Sequence, residues 1–112
     1  MKIDLNNKKF KTQSNTNNGE VSDETIFRYN QNENIIWANY DGGQIIKGHL
    51  VGKWVNDHLE FVYQHINKEH ELMTGKCKSY IEYMEDGKIK LNEFWQWTCN
   101  DFSSGESTII EI

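Results

Sequence analysis

Apolar and polar residues alternate with period two along most of the chain, and each alternating run stops at a cluster of Asn, Asp, Gly or Ser. The clearest case spans "GKCKSYIEYMEDGKIKLNEFWQW" (75–97), where Lys76, Lys78, Glu82, Lys88, Lys90, Asn92 and Gln96 share one parity. That parity is a wet strand face, and the other one turns toward a core. Turn-forming clusters at 14–20, 30–34, 41–43, 56–57, 66–71, 85–87 and 100–106 divide the chain. The segments between them predict strands near 8–14, 25–31, 35–41, 44–55, 58–66, 71–84, 88–99 and 107–112. The two longest predict a bend or bulge, at Gly52 and near Tyr80. "GEVSDET" (19–25) reads as a loop, with a short helical turn capped by Ser22 as the alternative. Short strands at even spacing with hairpin-length connections predict an all-β fold: an up-and-down meander barrel of eight to ten antiparallel strands, closed to remove its edges. A β-sandwich is the alternative, although it calls for longer crossovers.

Turn positions allow two hairpins to be aligned. About "EDG" (85–87), Tyr83 falls opposite Ile89, Ile81 opposite Leu91, Ser79 opposite Glu93, Cys77 opposite Trp95 and Gly75 opposite Trp97. The inner face then carries Glu93, Trp95 and Trp97, because a slip of one residue would bury the lysines instead. About "DGG" (41–43), Asp41 is expected to face Gln44, Trp37 to face Gly48 and Ile35 to face Leu50, with Trp37 inside. Leu59, Phe61, Tyr63 and His65 share the inner face of their strand. Small residues opposite Trp37 and Trp97 leave room for the rings.

The inner set Trp37, Tyr63, His65, Cys77, Glu93, Trp95 and Trp97 is therefore the candidate ligand site. Either the aromatics fill the barrel or they line a pocket, and Glu93 bears on the choice. A carboxylate among tryptophans is costly unless paired or protonated, and Arg28 or His65 is the expected partner. A small, partly apolar metabolite bound without catalysis is one reading. An enzyme using Glu93 as general acid or base, assisted by His65 or Cys77, is the other. No catalytic residue is assigned.

Composition narrows the partners. The chain has 112 residues, enough for one domain (1–112) and one core. Its net charge is −5 with no basic block, which argues against nucleic acid and anionic membranes. No run approaches a membrane span, and "MKIDLNNKKFK" has no apolar stretch after its lysines, so a cytoplasmic protein is expected. His49, His58, His65 and His70 lack metal-ligand spacing, and neither a metal nor a cofactor is expected. Cys77 and Cys99 are expected to stay reduced, being offset by roughly 13 Å in the aligned hairpin at ~3.3 Å per residue. "TGKCKS" (74–79) lacks the upstream glycine and the helix of a phosphate loop. "SSGES" (103–107) reads as a loop at a barrel mouth, where it can gate a pocket. On the outer face, Tyr80, Met84 and Phe94 are expected alongside Ile36, Ala38, Tyr40, Ile45 and Val51. That apolar strip leaves monomer and homodimer both open.

Over nearly its whole length the chain resembles a group of small bacterial proteins. The likeness lies in "KKFK", "SNT", "GEVSDETIF", "YQHINK", "MTGKC", "WQW" and "SSGES". Members often carry the label N-acetylglutamate synthase. The resemblance implies acetyl transfer to glutamate and brings no catalytic residues with it. The acetyl-CoA turn, Gln/Arg-x-x-Gly-x-Gly/Ala opening a helix, has its nearest counterpart in "QIIKGHLVG" (44–52), with a different spacing and in a strand. In architecture the chain looks like the lipocalin and avidin type of barrel, a resemblance that implies a ligand-sized interior lined by tryptophans.

Overall fold

The structure, a computed structural model, describes residues 3–112. Eight strands follow one another: β1 Lys8–Asn15, β2 Ile26–Asn32, β3 Ile35–Gly42, β4 Ile45–Val55, β5 His58–Asn67, β6 Leu72–Tyr83, β7 Ile89–Trp97 and β8 Ser104–Glu111. Each pairs antiparallel with the next, and β1 pairs with β8, so the meander closes into a barrel. Residues 19–25 contain a turn, closed by the Thr25 amide donating to the Ser22 carbonyl, and no helix.

Alternation puts Phe10 and Thr12 of β1, Phe27 and Tyr29 of β2, and Leu59, Phe61 and His65 of β5 inside. The two ends of the barrel differ. Before β1, Leu5 is fully buried, and its amide donates to Gln31 Oε1, which also accepts from Trp54 Nε1. That end is plugged. After β1, residues 16–25 cross the opposite end.

The "EDG" hairpin has the expected register, from Tyr83 against Ile89 to Gly75 against Trp97. The "DGG" hairpin does not. Tyr40 pairs with Gly48, Ala38 with Leu50, Trp37 with Val51 and Ile35 with Lys53. This differs by three residues from the expected pairing, and an odd shift exchanges the two faces of β3. Ile36, Ala38 and Tyr40 point inward and are buried, while Trp37 lies on the outer, half-buried face. The cause lies at the turn. Gly42 and Gly43 both have positive φ, +113° and +62°, and the register shifts between Tyr40 and Gly42. A side chain at Gly42 would strike the carbonyl of Glu24. The irregular turn absorbs residues that a regular hairpin would have paired. The resulting register sets the Tyr40 ring over Gly48, whose missing Cβ leaves the space.

Strand β4 departs from regularity between Ile45 and Lys47, where its pairing with β5 shifts. The pairing runs unbroken through Gly52 and Tyr80, where bends were expected. Ile45 is thereby buried together with Leu50. The expected outer apolar strip consequently loses Ile36, Ala38, Tyr40 and Ile45. What remains outside includes Trp37, Val51 and Val62, adjacent in register across β3, β4 and β5. Tyr80 also remains, stacked on His58 and set edge-on to Phe94.

The corrected faces of β3 are testable. Ile36→Ala, which empties a fully buried position, is expected to cost about 2–5 kcal/mol in denaturant unfolding. Trp37→Ala on the outer face should cost about 1 kcal/mol or less. The reverse order would restore Trp37 to the interior.

Candidate functional site

The site arises where inward positions of four neighbouring strands meet. Cross-strand pairing aligns Tyr63, Gly75 and Trp97 in one row, Phe61, Cys77, Trp95 and Gly105 in the next, and Leu59, Ser79, Glu93 and Ser107 in the third. Glycines make room for the rings. A Cβ at Gly75 would meet the ring of Tyr63, and one at Gly105 would meet that of Trp95. Trp97 is the hub of an aromatic cluster. Its ring centroid lies 5.4 Å from that of Trp95, 5.9 Å from Tyr63 and 5.9 Å from His65.

These walls enclose a cavity of about 40 Å³. Tyr63, His65, Cys77, Glu93, Trp95 and Trp97 all line it, as the sequence predicts. Trp37 does not, because β3 turns it outward. Tyr40, which takes the inward position on that strand, lines the cavity instead, as do Glu20 and Ser107. Among the described residues, no Lys or Arg lines it.

Glu93 sits in the third row, 6% exposed. Its Oε1 accepts from Ser107 Oγ at 3.2 Å, whereas Oε2 has no hydrogen-bond partner among the described residues. Neither expected partner reaches it. Arg28 pairs with Asp41 on the outer surface, and His65 is engaged elsewhere. Burial raises the Glu93 pKa from 4.5 to about 7, with the Ser107 and Ser79 hydroxyls pulling the other way. Tyr29 OH and Thr12 Oγ1 are likewise buried without a partner among the described residues, and Ser79 Oγ, opposite Glu93, lies near enough to lower its pKa but outside hydrogen-bond geometry. Cys77 is an inert thiol here, because burial and then the Glu93 charge push its pKa well up.

His65 belongs to a satisfied network. Its Nδ1 lies 2.9 Å from Tyr40 OH and its Nε2 2.7 Å from Glu20 Oε1. Asn67 Nδ2 donates to the other oxygen, Glu20 Oε2, at 3.1 Å. Burial lowers the His65 pKa, outweighing the Glu20 interaction that raises it. The ring is thus neutral at pH 7, with Nε2–H donating to Glu20 and Nδ1 accepting from Tyr40. The contact is a hydrogen bond to a carboxylate rather than an ion pair.

Glu20 comes from the segment 16–25, which forms a strap across the mouth. Trp97 Nε1 donates to the Asn18 carbonyl at 3.0 Å, and Trp95 Nε1 donates to Asn15 Oδ1 at 3.2 Å. Asn15 Nδ2 in turn donates to the Val21 carbonyl, and Asn18 Nδ2 to the Ser104 carbonyl. The strap, not "SSGES", covers the pocket, since Ser104–Ser107 lie within β8. Cys77 and Cys99 are free thiols, as expected. No cluster of His, Cys, Asp and Glu among the described residues is arranged to hold a metal ion.

A family model described as avidin-like protein matches residues 3–112. The chain belongs to the avidin-like family. The crystal structure of apo shwanavidin in its P1 form superposes with a TM-score of 0.68 and 11% identity, over 100% of this chain and 98% of that one. At that identity the likeness is one of fold. No curated protein matches the sequence.

Within this avidin-like barrel, the site residues that sequence reasoning missed fall into two kinds. Ser107 and Tyr40 sit at inward strand positions, and correct alignment of β8 on β7 and of β3 on β4 would have found them. Glu20 has no such signal, because its placement depends on how the strap lies across the mouth, and Asn15, the last residue of β1, reaches its place opposite Ser107 through the register shift between Thr12 and Ser14.

The buried carboxyl yields a signed prediction. The folded protein retains a proton on Glu93 that the unfolded chain releases between pH 4.5 and about 7. The folded state therefore loses stability as pH rises through that window, by on the order of 3 kcal/mol once Glu93 is ionised. Glu93→Gln should be more stable than the parent at pH 8 by an amount of that order. The difference should shrink toward zero at pH 5. Thermal unfolding at the two pH values measures it, and an equal difference at both would mean that Glu93 titrates normally.

Proposed function

We propose that the protein is a small-molecule-binding barrel, with the ligand held against Trp95 and Trp97 and a donor group hydrogen-bonded to Glu93. The observation that carries this reading is Glu93 Oε2, buried and without a partner beside the cavity. An unsatisfied buried acceptor costs about 1–3 kcal/mol. A ligand donor recovers that cost, and aromatic walls with a few convergent polar groups describe small-molecule sites in general. Membership of the avidin-like family supports the same reading at the level of fold.

The size of the cavity limits what enters while the strap is closed. Ligand pockets commonly measure roughly 300–1,000 Å³, far more than the 40 Å³ here. Only the head of a ligand fits beneath the strap, and a larger body requires residues 16–25 to move aside.

Acid–base catalysis is the second reading, favoured by one observation, the Glu93 pKa near neutrality. It lacks an adjacent nucleophile, since the Cys77 thiol is held protonated and His65 is tied to Tyr40 and Glu20. An assay for acetyl transfer from acetyl-CoA to glutamate tests the activity implied by the bacterial resemblance.

Intrinsic tryptophan fluorescence tests the binding reading, because both indoles line the cavity. Saturable changes are expected with at least one chemical class in a metabolite library. Trp97→Phe should weaken that binding at least about tenfold, which corresponds to ~1.4 kcal/mol. A signal indifferent to every class, from a protein with a native circular dichroism spectrum, would refute the proposal.

A further inference from the structure

Building on that reading, we infer that the ligand head is a small organic cation, of the alkylammonium or amidinium class. Glu93 would hold it at the floor of the cavity and Glu20 at the rim, with Trp95, Trp97 and Tyr63 as the walls. Two independent features point to a positive charge, and a third sets the size of the head.

The first is the charge inventory. The two ionisable carboxyls lining the cavity, Glu20 and Glu93, are not offset by a lining Lys or Arg among the described residues. Lys76 and Lys78 of the neighbouring strand β6 point to the outer face. Glu93 is the decisive group, because it is nine-tenths buried, lines the cavity and leaves one oxygen unpartnered. A cation bound there forms a charge-assisted hydrogen bond, stronger than a neutral donor would give.

The second is the nature of the walls. Trp95, Trp97, Tyr63, Tyr40, Phe27 and Phe61 surround the space. Tryptophan and tyrosine faces attract ammonium and guanidinium groups through the ring quadrupole. An anionic ligand would meet these faces, two carboxyls and a neutral histidine, with no cation to receive it. The net charge of −5 acts in the same direction by drawing cations toward the protein.

The third is volume. A cavity of about 40 Å³ accommodates about three water-sized atoms, at roughly 10–15 Å³ each. Methylammonium and amidinium heads are of that size.

A pH dependence follows. The titratable neighbours of Glu93 are Cys77 from β6, Tyr29 from β2, Tyr40 from β3 and Tyr63 from β5, and burial pushes each of them up. His65 from β5 is pushed down, and Ser79 and Ser107 do not titrate. Near pH 7 Glu93 is the pocket group that changes charge.

The test uses the whole protein and matched probes, read by tryptophan fluorescence and calorimetry. The cations are methylguanidinium and n-butylammonium, the neutral counterparts are N-methylurea and n-butanol, and the anion is butanoate. The cations are expected to bind at least tenfold more tightly than the neutral probes at pH 8. Butanoate should show no saturable signal. Cation affinity should fall by about tenfold per pH unit below 7. Glu93→Gln should remove the preference for cations while leaving the circular dichroism spectrum unchanged, and Glu20→Gln should reduce it in part. Equal or tighter binding of N-methylurea or butanoate would overturn the cation inference and leave the pocket reading standing. Undiminished cation binding by Glu93→Gln would also overturn it. Failure of every probe to bind, in a protein that still responds to a member of the metabolite library, would overturn the cation inference alone, whereas indifference to the library as well would remove both readings.

Discussion

Closure of β1 onto β8 is the constraint on which the rest of the structure depends. An open meander would have two edges and a face that could be covered from outside. A closed one has a fixed interior, and every inward side chain must share it. This explains why inward glycines sit against inward rings: Gly48 under Tyr40, Gly75 under Tyr63 and Gly105 against Trp95. The strands cannot move apart to admit a ring, so the backbone gives up a Cβ instead. Closure also leaves the barrel two ends with different fates. Leu5 and Trp54 close one with apolar surface and a shared acceptor, Gln31. At the other, a polar strap closes over aromatic walls.

The polar groups inside are not distributed evenly between satisfied and unsatisfied. Around the rim, Tyr40, His65, Glu20, Asn67 and Glu71 form a continuous chain of hydrogen bonds. Elsewhere in the interior, Glu93 Oε2, Ser79 Oγ, Tyr29 OH and Thr12 Oγ1 have no hydrogen-bond partner among the described residues. Buried polar groups are nearly always bonded, so such a concentration within one small barrel calls for a reason. A structural role alone would have been served better by apolar residues of similar shape. Of the four residues only Glu93 lines the cavity, so it is the one whose cost the proposed ligand would recover.

The fold was legible because its signal is redundant. Eight alternating runs bounded by Asn, Asp, Gly and Ser leave few topologies, and a lysine-rich face fixes the "EDG" hairpin without ambiguity. The "DGG" hairpin lacked that redundancy. Ile35, Ile36, Trp37 and Ala38 are all apolar, so either parity of β3 gives an acceptable inner face. The register then depends on two glycines with positive φ, which a sequence does not reveal. One misplaced turn moved Trp37 into the candidate site and Tyr40 out of it. Glu93, Trp95 and Trp97 were placed on the inner face for the opposite reason, since a slip there would have buried charge. Glu20 was illegible because its loop carries no periodicity at all.

The strap and the walls of the site are bonded into one unit. Of the two indole N–H groups at the cavity, that of Trp95 donates to Asn15, the last residue of β1, and that of Trp97 to Asn18 in the strap. Glu20, further along it, takes the donors of His65 and Asn67. Lifting the strap therefore does more than uncover the cavity. It would free one N–H each on Trp97, His65 and Asn67, while Trp95 keeps its bond to Asn15 of β1. A closed barrel mouth with its donors already occupied resists nonspecific entry, because an incoming molecule must replace several bonds rather than one. Under the proposed binding role, the closed form would hold a small head group, and a larger body would require residues 16–25 to give up these bonds. Selectivity in such a site resides as much in the loop between β1 and β2 as in the barrel that carries it.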